Sequence, residues 1–153
     1  EQLYALKFHF KDLQIVDLGN IRKQQPAFFT QVIQELISSK IVPVILGKHT
    51  NETLAQYQAY PPLRKLSNIV VIDEQIHFSN QEKNTDSNYL NPIINGAQSG
   101  LFNLGAIGFQ THFVSTETLQ LFDNQHFDTL RLGKIKADVS NAEPFIRDAD
   151  LLK

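Results

Sequence analysis

The sequence of 153 residues contains no cysteine, so it cannot form disulfide bonds, bind zinc through thiolates or use a cysteine nucleophile. We therefore expect a reducing, cytoplasmic location. The apolar runs are too short to span a bilayer, and the amino end lacks the basic segment and apolar core of a signal peptide. Because the chain begins at Glu1 without a methionine, we expect a processed product or an excised segment.

A strong excess of charge is also missing, since 14 basic and 16 acidic residues give a net charge of −2. The basic residues are scattered, which argues against binding to nucleic acid or to an acidic membrane surface. Neither a G-x-G-x-x-G nor a P-loop pattern occurs, which argues against a doubly wound nucleotide-binding domain. The apolar share of 42% and the charged share of 20% predict one globular domain over residues 1–153.

Short apolar runs alternate with helical patterns along the chain. The β-branched run from Ile69 to Ile72 indicates a strand that is buried on both faces and followed by Asp73. Further strands are predicted at residues 6–10, 42–46, 104–109 and 127–132, and a last one begins at Leu151. Helices are predicted from Pro26, at residues 51–60, 91–99 and 115–124, and from Ser140 or Asn141. This alternation predicts a three-layer α/β/α fold with a mostly parallel sheet, incomplete at the carboxyl end.

Polar side chains follow the strand that ends at Ile72. In open α/β sheets, ligands bind at the carboxyl ends of the strands. If the chain stays extended there, Asp73, Gln75 and His77 point to the same side, because side chains alternate along a strand. These three groups are therefore candidates for binding a ligand. The alternative is that Asp73 and His77 make ordinary hydrogen bonds within a loop.

The order of the polar segments resembles the ureohydrolase family, which includes arginase, agmatinase and formimidoylglutamase. In that family, one strand ends in a G-G-x-H-S type motif, the next ends in D-A-H-x-D, and the following loop holds an S-G-N-x-H type segment. The corresponding segments here are G-K-H-T at 47–50, D-E-Q-I-H at 73–77 and D-S-N-Y-L at 86–90. The D-L-G-N turn at 17–20 resembles the family's D-L-G-D segment, and residues 147–152 resemble the approach to its S-F-D-x-D strand. Among the branches, the formimidoylglutamase-like one is the most similar.

The resemblance implies the amino-terminal portion of an arginase-like domain. Family members hydrolyse a C–N bond of a small guanidino or formimino substrate and use two bridged Mn²⁺ ions to generate hydroxide from water. His49 and Asp73 match positions of metal ligands in the family motifs. Gln75 stands where the family has a histidine, and His77 stands where it has an aspartate. The alternative for His49 is a cap-region side chain at the start of the following helix.

The loop segment also departs from the family pattern. Asn88 matches the loop asparagine and is the candidate for substrate contact, but Leu90 stands where a histidine is expected. The second pair of carboxylates in the family would lie beyond Lys153. Losing groups that touch the metal should cost more than the roughly 10–100-fold loss that changes around metal ligands cause. A dinuclear manganese site is therefore not expected, and at most one metal ion is expected, at His49, Asp73 and His77.

Three functions remain open. The chain is an inactive portion of a ureohydrolase-family protein, or it is an enzyme of altered chemistry. In that enzyme, Gln75 and His77 hold a single metal ion, or His77 acts as a general base beside Asp73. The third function is a non-catalytic binding or assembly module. An incomplete parallel sheet exposes an edge and an apolar face, and such surfaces attract partners, including a second copy in a homo-oligomer.

Overall fold

Helices and short strands alternate in the structure, a computed structural model that describes residues 13–21, 26–63, 66–80, 88–96 and 100–153. The helices are α1 (Pro26–Ser38), α2 (Asn51–Tyr57), α3 (Leu90–Asn95), α4 (Thr116–Asn124), α5 (Leu132–Ala137) and α6 (Glu143–Arg147). The strands are β1 (Ser67–Ile72), β2 (Leu101–Phe109), β3 (Asp128–Arg131) and β4 (Leu151–Leu152). Short 3₁₀ helices lie at Pro61–Leu63, Thr111–Phe113 and Val139–Ala142. None of the helices in these ranges combines the length and the apolar character that crossing a membrane requires.

The four strands form one parallel sheet in the order β3-β2-β1-β4. Because the strands are parallel, they all end at the same edge of the sheet. The residues found at that edge are Asp73, Phe109, Arg131 and Lys153. The backbone N–H of Ile72 donates to the carbonyl of Lys153 at 2.8 Å, so the pairing of β1 with β4 extends to Lys153.

Apolar side chains cover both faces of the sheet. On one face, the core contains Ile69, Val71 and Leu104 of the sheet with Tyr57, Ile93 and Phe122 of α2, α3 and α4. On the other face, the core contains Val70, Ile107 and Leu130 with Ile135 and Phe145 of α5 and α6. The predicted three-layer α/β fold with a parallel sheet is therefore confirmed.

The predicted strand at residues 42–46 is wrong. The segment is irregular, and Val42, Val44 and Leu46 are 86%, 77% and 88% exposed. β-Branched residues favour a strand when they pack on a pleated neighbour. No strand in the described ranges pairs with this segment, so the preference of its residues for a strand is not supported by pairing. The predicted strand at 6–10 lies outside the described residues.

The other predicted elements are present, with shifted ends. Helix α2 ends at Tyr57 rather than at residue 60, and the chain then turns into the 3₁₀ helix at Pro61–Leu63. Helix α3 ends at Asn95, and the predicted continuation at 97–99 lies outside the described residues. The predicted last helix is divided into the 3₁₀ helix at Val139–Ala142 and α6, with Pro144 in the first turn of α6 as expected.

Candidate functional site at the ends of β1 and β4

The carboxylate of Asp73 is the centre of a polar cluster at the ends of β1 and β4. Its backbone N–H donates to the carbonyl of Ile107 at 3.1 Å, which fixes the position of the residue beyond β1. Oδ1 accepts a hydrogen bond from the backbone N–H of Glu74 at 2.8 Å. Oδ2 accepts one from Nζ of Lys153 at 2.7 Å and lies 3.4 Å from Nε2 of His77. Both carboxylate oxygens therefore have protein partners.

Lys153 reaches Asp73 because β4 pairs with β1 in parallel register. The backbone N–H of Lys153 donates to the carbonyl of Val70 at 2.9 Å, which places its side chain at the same edge as Asp73. Nζ also lies 5.1 Å from the centre of the Tyr89 ring, within the range of a cation–π interaction. The Lys153 side chain is 21% exposed, so the ammonium is held between a carboxylate and an aromatic face.

The charges in this cluster shift two pKa values. Burial raises the pKa of the Asp73 carboxyl, but the hydrogen bond and positive charge of Lys153, the charge of His77 and the hydrogen bond from the Glu74 N–H together outweigh burial. The pKa of Asp73 therefore lies below its ordinary value. Burial and the negative charge of Asp73 raise the pKa of Tyr89 well above its ordinary value. Asp73 is thus ionised and Tyr89 neutral at physiological pH.

His77 and Asp73 approach each other even though the chain does not stay extended. Strand β1 ends at Ile72, and the chain bends at Glu74 and Gln75 before His77. The imidazole of His77 packs near Tyr89, with ring centres 5.8 Å apart. Gln75 is exposed, and no hydrogen bond joins its side chain to the described residues. The predicted common wall therefore contains Asp73 and His77 without Gln75.

His49 lies in an exposed irregular segment before α2. Its carbonyl accepts a hydrogen bond from the N–H of Glu52 at 3.3 Å, which is a contact at the start of that helix. Within the described ranges, no three histidine, aspartate or glutamate side chains are grouped so that they could hold a metal ion. The structure therefore brings Asp73 and His77 together, and a metal site that also uses His49 stays a prediction.

Asn88 is buried and holds the loop after β1 to the start of α3. Its Oδ1 accepts from the N–H of Ser79 at 2.7 Å, and its Nδ2 donates to the carbonyl of Ser79 at 2.8 Å. Nδ2 of Asn91 donates to the same carbonyl at 2.8 Å. Asn88 is only 1% exposed, so its position favours a structural role for the side-chain amide. Its contact with a substrate stays a prediction.

Two residues of the cluster, Lys153 and Tyr89, do not follow from the sequence patterns alone. A signal for Lys153 is nevertheless present, because it follows the apolar pair Leu151-Leu152 as Asp73 follows β1. The ends of neighbouring parallel strands meet at one edge of a sheet, so the two charges become partners once β4 is known to lie beside β1.

A pair of divalent cations does not fit these donors. Two Mn²⁺ ions held close together require several carboxylate and imidazole ligands to balance their charge. The described cluster offers one carboxylate and one imidazole, and an ammonium group already neutralises the carboxylate. The arrangement is an ion pair with an adjacent imidazole and an aromatic wall.

The fold is similar to that of known enzymes. No protein-family model and no curated protein matches the sequence. Among solved structures, the agmatine ureohydrolase of Thermoplasma volcanium matches with a TM-score of 0.64 and 18% identity over 90% of this chain. Formimidoylglutamase from Bacillus subtilis matches with a TM-score of 0.67 and 13% identity, also over 90%. A triple mutant of the T. brucei arginase-like protein bound with Mn²⁺ matches with a TM-score of 0.58 and 18% identity over 82%.

The present chain therefore has an arginase-like α/β fold. It spans about half the length of the structures it matches, namely 48% of the agmatine ureohydrolase, 46% of the formimidoylglutamase and 40% of the T. brucei protein. At these identities the similarity concerns the fold.

Proposed function

We propose that the chain is the amino-terminal portion of a ureohydrolase-family protein and that this chain itself is not catalytic. The arginase-like fold and the order of the segments at 47–50, 73–77 and 86–90 support the family. The formimidoylglutamase-like branch stays a prediction, because the agmatine ureohydrolase also matches over 90% of the chain. The family reaction, hydrolysis of a guanidino or formimino C–N bond with manganese, then belongs to relatives that keep the full ligand set. A cytoplasmic location stays a prediction.

The ion pair of Asp73 with Lys153 is the observation on which the inactivity depends. A divalent cation at Oδ2 of Asp73 would stand beside the ammonium of Lys153, unless that side chain moved away. Two unit charges of one sign about 4 Å apart near a protein surface repel by roughly 4 kcal/mol, and a divalent cation doubles the charge. The site therefore discriminates against the metal on which the family reaction depends.

The test combines a metal-binding and an activity measurement. The chain is incubated with Mn²⁺, and the release of urea, ammonia or formamide from arginine, agmatine and formiminoglutamate is measured beside an active arginase. We expect no release above the protein-free background and no tight Mn²⁺ binding by electron paramagnetic resonance. Manganese-dependent release by this chain would refute the proposal.

The close approach of His77 to Asp73 favours a second candidate, an altered single-metal hydrolase. Under this alternative, the unchanged chain binds Zn²⁺ or Mn²⁺ through these two side chains, and the bound ion activates water. Under our proposal, the unchanged chain does not bind these ions tightly, and Lys153→Ala binds them better because the competing ammonium is gone. Titration of both proteins with Zn²⁺, followed by the NMR signals of His77, distinguishes the two.

A further inference from the structure

A cleft lies at the same edge of the sheet as the Asp73 cluster, between the ends of β2 and β3. Its volume is about 530 Å³, within the range of roughly 300–1,000 Å³ that is usual for sites of small molecules. The lining residues are Phe109, Gln110, Thr111, Arg131, Leu132, Gly133, Lys134 and Lys136. Because the strand order is β3-β2-β1-β4, this cleft is separate from the Asp73–Lys153 pair at β1 and β4.

The charge of this cleft is of one sign. Three of the eight lining residues are cationic, and none of the eight is acidic. Arg131, Lys134 and Lys136 are exposed, and no acid within the described ranges forms an ion pair with them. This concentration of positive charge contrasts with the chain as a whole, whose net charge is −2.

Two acidic residues, Asp138 and Glu74, adjoin the segments that line the cleft. Asp138 follows α5, and its Oδ1 accepts hydrogen bonds from the N–H and the hydroxyl of Ser140 at 2.9 and 2.7 Å. Glu74 approaches from β1, but its contact is a backbone carbonyl that accepts from the N–H of Gln110 at 2.8 Å. Within the described ranges, neither carboxylate forms an ion pair with a cation of the cleft.

The backbone at the end of β2 shapes the cleft. Gly108 has a φ of +86°, a conformation that L side chains rarely adopt, and the pairing register of β2 with β3 shifts between Ile107 and Phe109. Beyond this irregularity, Phe109 pairs with Arg131, so the ends of β2 and β3 lie side by side at the cleft. A Cβ added at Gly133 would meet no atom within 4 Å, which indicates open space at the cleft.

We infer that the cleft between β2 and β3 binds a small molecule that carries two or more negative charges on phosphate or carboxylate groups. The guanidinium of Arg131 can donate two parallel hydrogen bonds to either group, and Lys134 and Lys136 add positive charge. The side chains of Gln110 and Thr111 supply uncharged polar groups beside them. The inference does not depend on the proposed function, because no residue of the Asp73 cluster takes part.

Inorganic phosphate and succinate are the two probes, because they separate the two possible sources of negative charge. Each is titrated into the chain at low ionic strength, since salt screens exposed charges beyond about 10 Å at 0.1 M. Binding is followed by the NMR signals of the backbone amides of Thr111 and Gly133. We expect saturable shifts with at least one probe, and the probe that saturates identifies the group. Linear, unsaturated shifts with both probes would overturn the inference.

Substitutions locate the site. Arg131→Gln and Lys134→Gln should each weaken binding about tenfold, as expected for the loss of a charge-assisted hydrogen bond to an anion. Arg147→Gln is the matched control, because Arg147 is exposed on α6 and lies 3.6 Å from Asp148. The control should bind within about twofold of the unchanged chain. Equal weakening by Arg131→Gln and Arg147→Gln would show a non-specific charge effect and reject the cleft. Circular dichroism verifies that each variant is folded. If Arg131→Gln or Lys134→Gln does not fold, Lys136→Gln is tested in its place.

Discussion

Asp73 and Lys153 lie at the ends of two neighbouring parallel strands, and each fixes the other. The distance of 2.7 Å between Oδ2 and Nζ is that of a charge-assisted hydrogen bond. Both side chains remain about one fifth exposed, so solvent screens part of the attraction. The effect of the pair on pH dependence is therefore a better test of its presence than its effect on total stability.

Replacement of Lys153 should change how the protein responds to acid. The folded pKa of Asp73 is lowered, because Lys153, His77 and the Glu74 N–H together outweigh burial, and Lys153 contributes most among the three. A carboxyl with a lowered folded pKa stabilises the fold above its unfolded pKa of about 3.9, and this stabilisation is lost as the pH falls through the folded value. We expect the unchanged chain to lose more stability between pH 7 and pH 3 than Lys153→Gln does, measured by urea unfolding. Arg147→Gln is the control, and an equal loss in Lys153→Gln would contradict the role of the ion pair.

Two buried tyrosines offer a matched comparison at the same scale. The hydroxyl of Tyr60 donates to the carbonyl of Asp150 at 2.8 Å, whereas the hydroxyl of Tyr89 has no hydrogen-bond partner among the described residues. Tyr60→Phe should lower the free energy of unfolding by about 1 kcal/mol, because it leaves the carbonyl without its donor. Tyr89→Phe should leave it unchanged or raise it, because a buried polar group is removed. Urea unfolding measures the free energy of unfolding of both variants. A larger loss in Tyr89→Phe than in Tyr60→Phe would refute the assigned hydrogen bonding of the two hydroxyls.

The sequence predicts that Asp73 and His77 lie on the same side, but it does not predict the backbone bend that brings them together. Alternation along an extended strand predicts that Asp73, Gln75 and His77 share one side. In the structure, β1 ends at Ile72, and a bend returns His77 to Asp73 and leaves Gln75 exposed. A local bend of this kind depends on the contacts of the loop with Tyr89 and α3. The spacing of residues in the sequence does not predict those contacts.

At the scale of elements, helix α4 shows how local sequence defines a boundary. Oγ of Ser115 accepts from the N–H of Thr118 at 3.1 Å, as is typical of an N-cap residue. The helix then buries Phe122 against the core under the sheet. A short-range hydrogen bond therefore marks its start, and Phe122, with Leu119 and Leu121, packs it against the core.

Removal of this cap should destabilise the protein measurably. Ser115→Ala should lower the free energy of unfolding by about 1 kcal/mol, because N–H groups at the start of α4 lose an acceptor. Ser38→Ala is the matched control, since Ser38 is an exposed residue at the end of α1. The control should change stability by less than about 0.5 kcal/mol. If both variants behaved alike in urea unfolding, the cap would have no energetic role.

The strands separate what local sequence can and cannot predict. The runs at 69–72 and 42–46 are both rich in β-branched residues, yet only the first is a strand. Strand β1 pairs on both sides, with β2 and β4. Segment 42–46 has no paired strand among the described residues. Strand formation depends on a neighbour that is distant in sequence, and a single segment does not reveal whether that neighbour is present.

At the scale of the whole molecule, the alternation of strand and helix patterns predicts a three-layer parallel fold. Each helix between two strands serves as the crossover that parallel pairing requires. The apolar side chains that remain exposed are the unusual feature. Those of the segments at 13–21 and 41–49 are Leu13, Ile15, Val16, Leu18, Ile21, Ile41, Val42, Val44 and Leu46. The matched structures are about twice as long as this chain, so they contain further residues that could cover such surfaces.

We expect a second copy of the chain to associate through these exposed residues, because burying apolar side chains away from water is favourable. Light scattering after size-exclusion chromatography should show a molar mass that rises with concentration. Val44→Lys combined with Leu46→Lys should lower the measured mass towards that of a monomer. The control combines Asn124→Lys with Gln125→Lys, which adds the same charge at exposed polar positions and should leave association unchanged. A monomer at every concentration would exclude self-association, and an equal effect of both double variants would assign it to net charge rather than to the apolar segment.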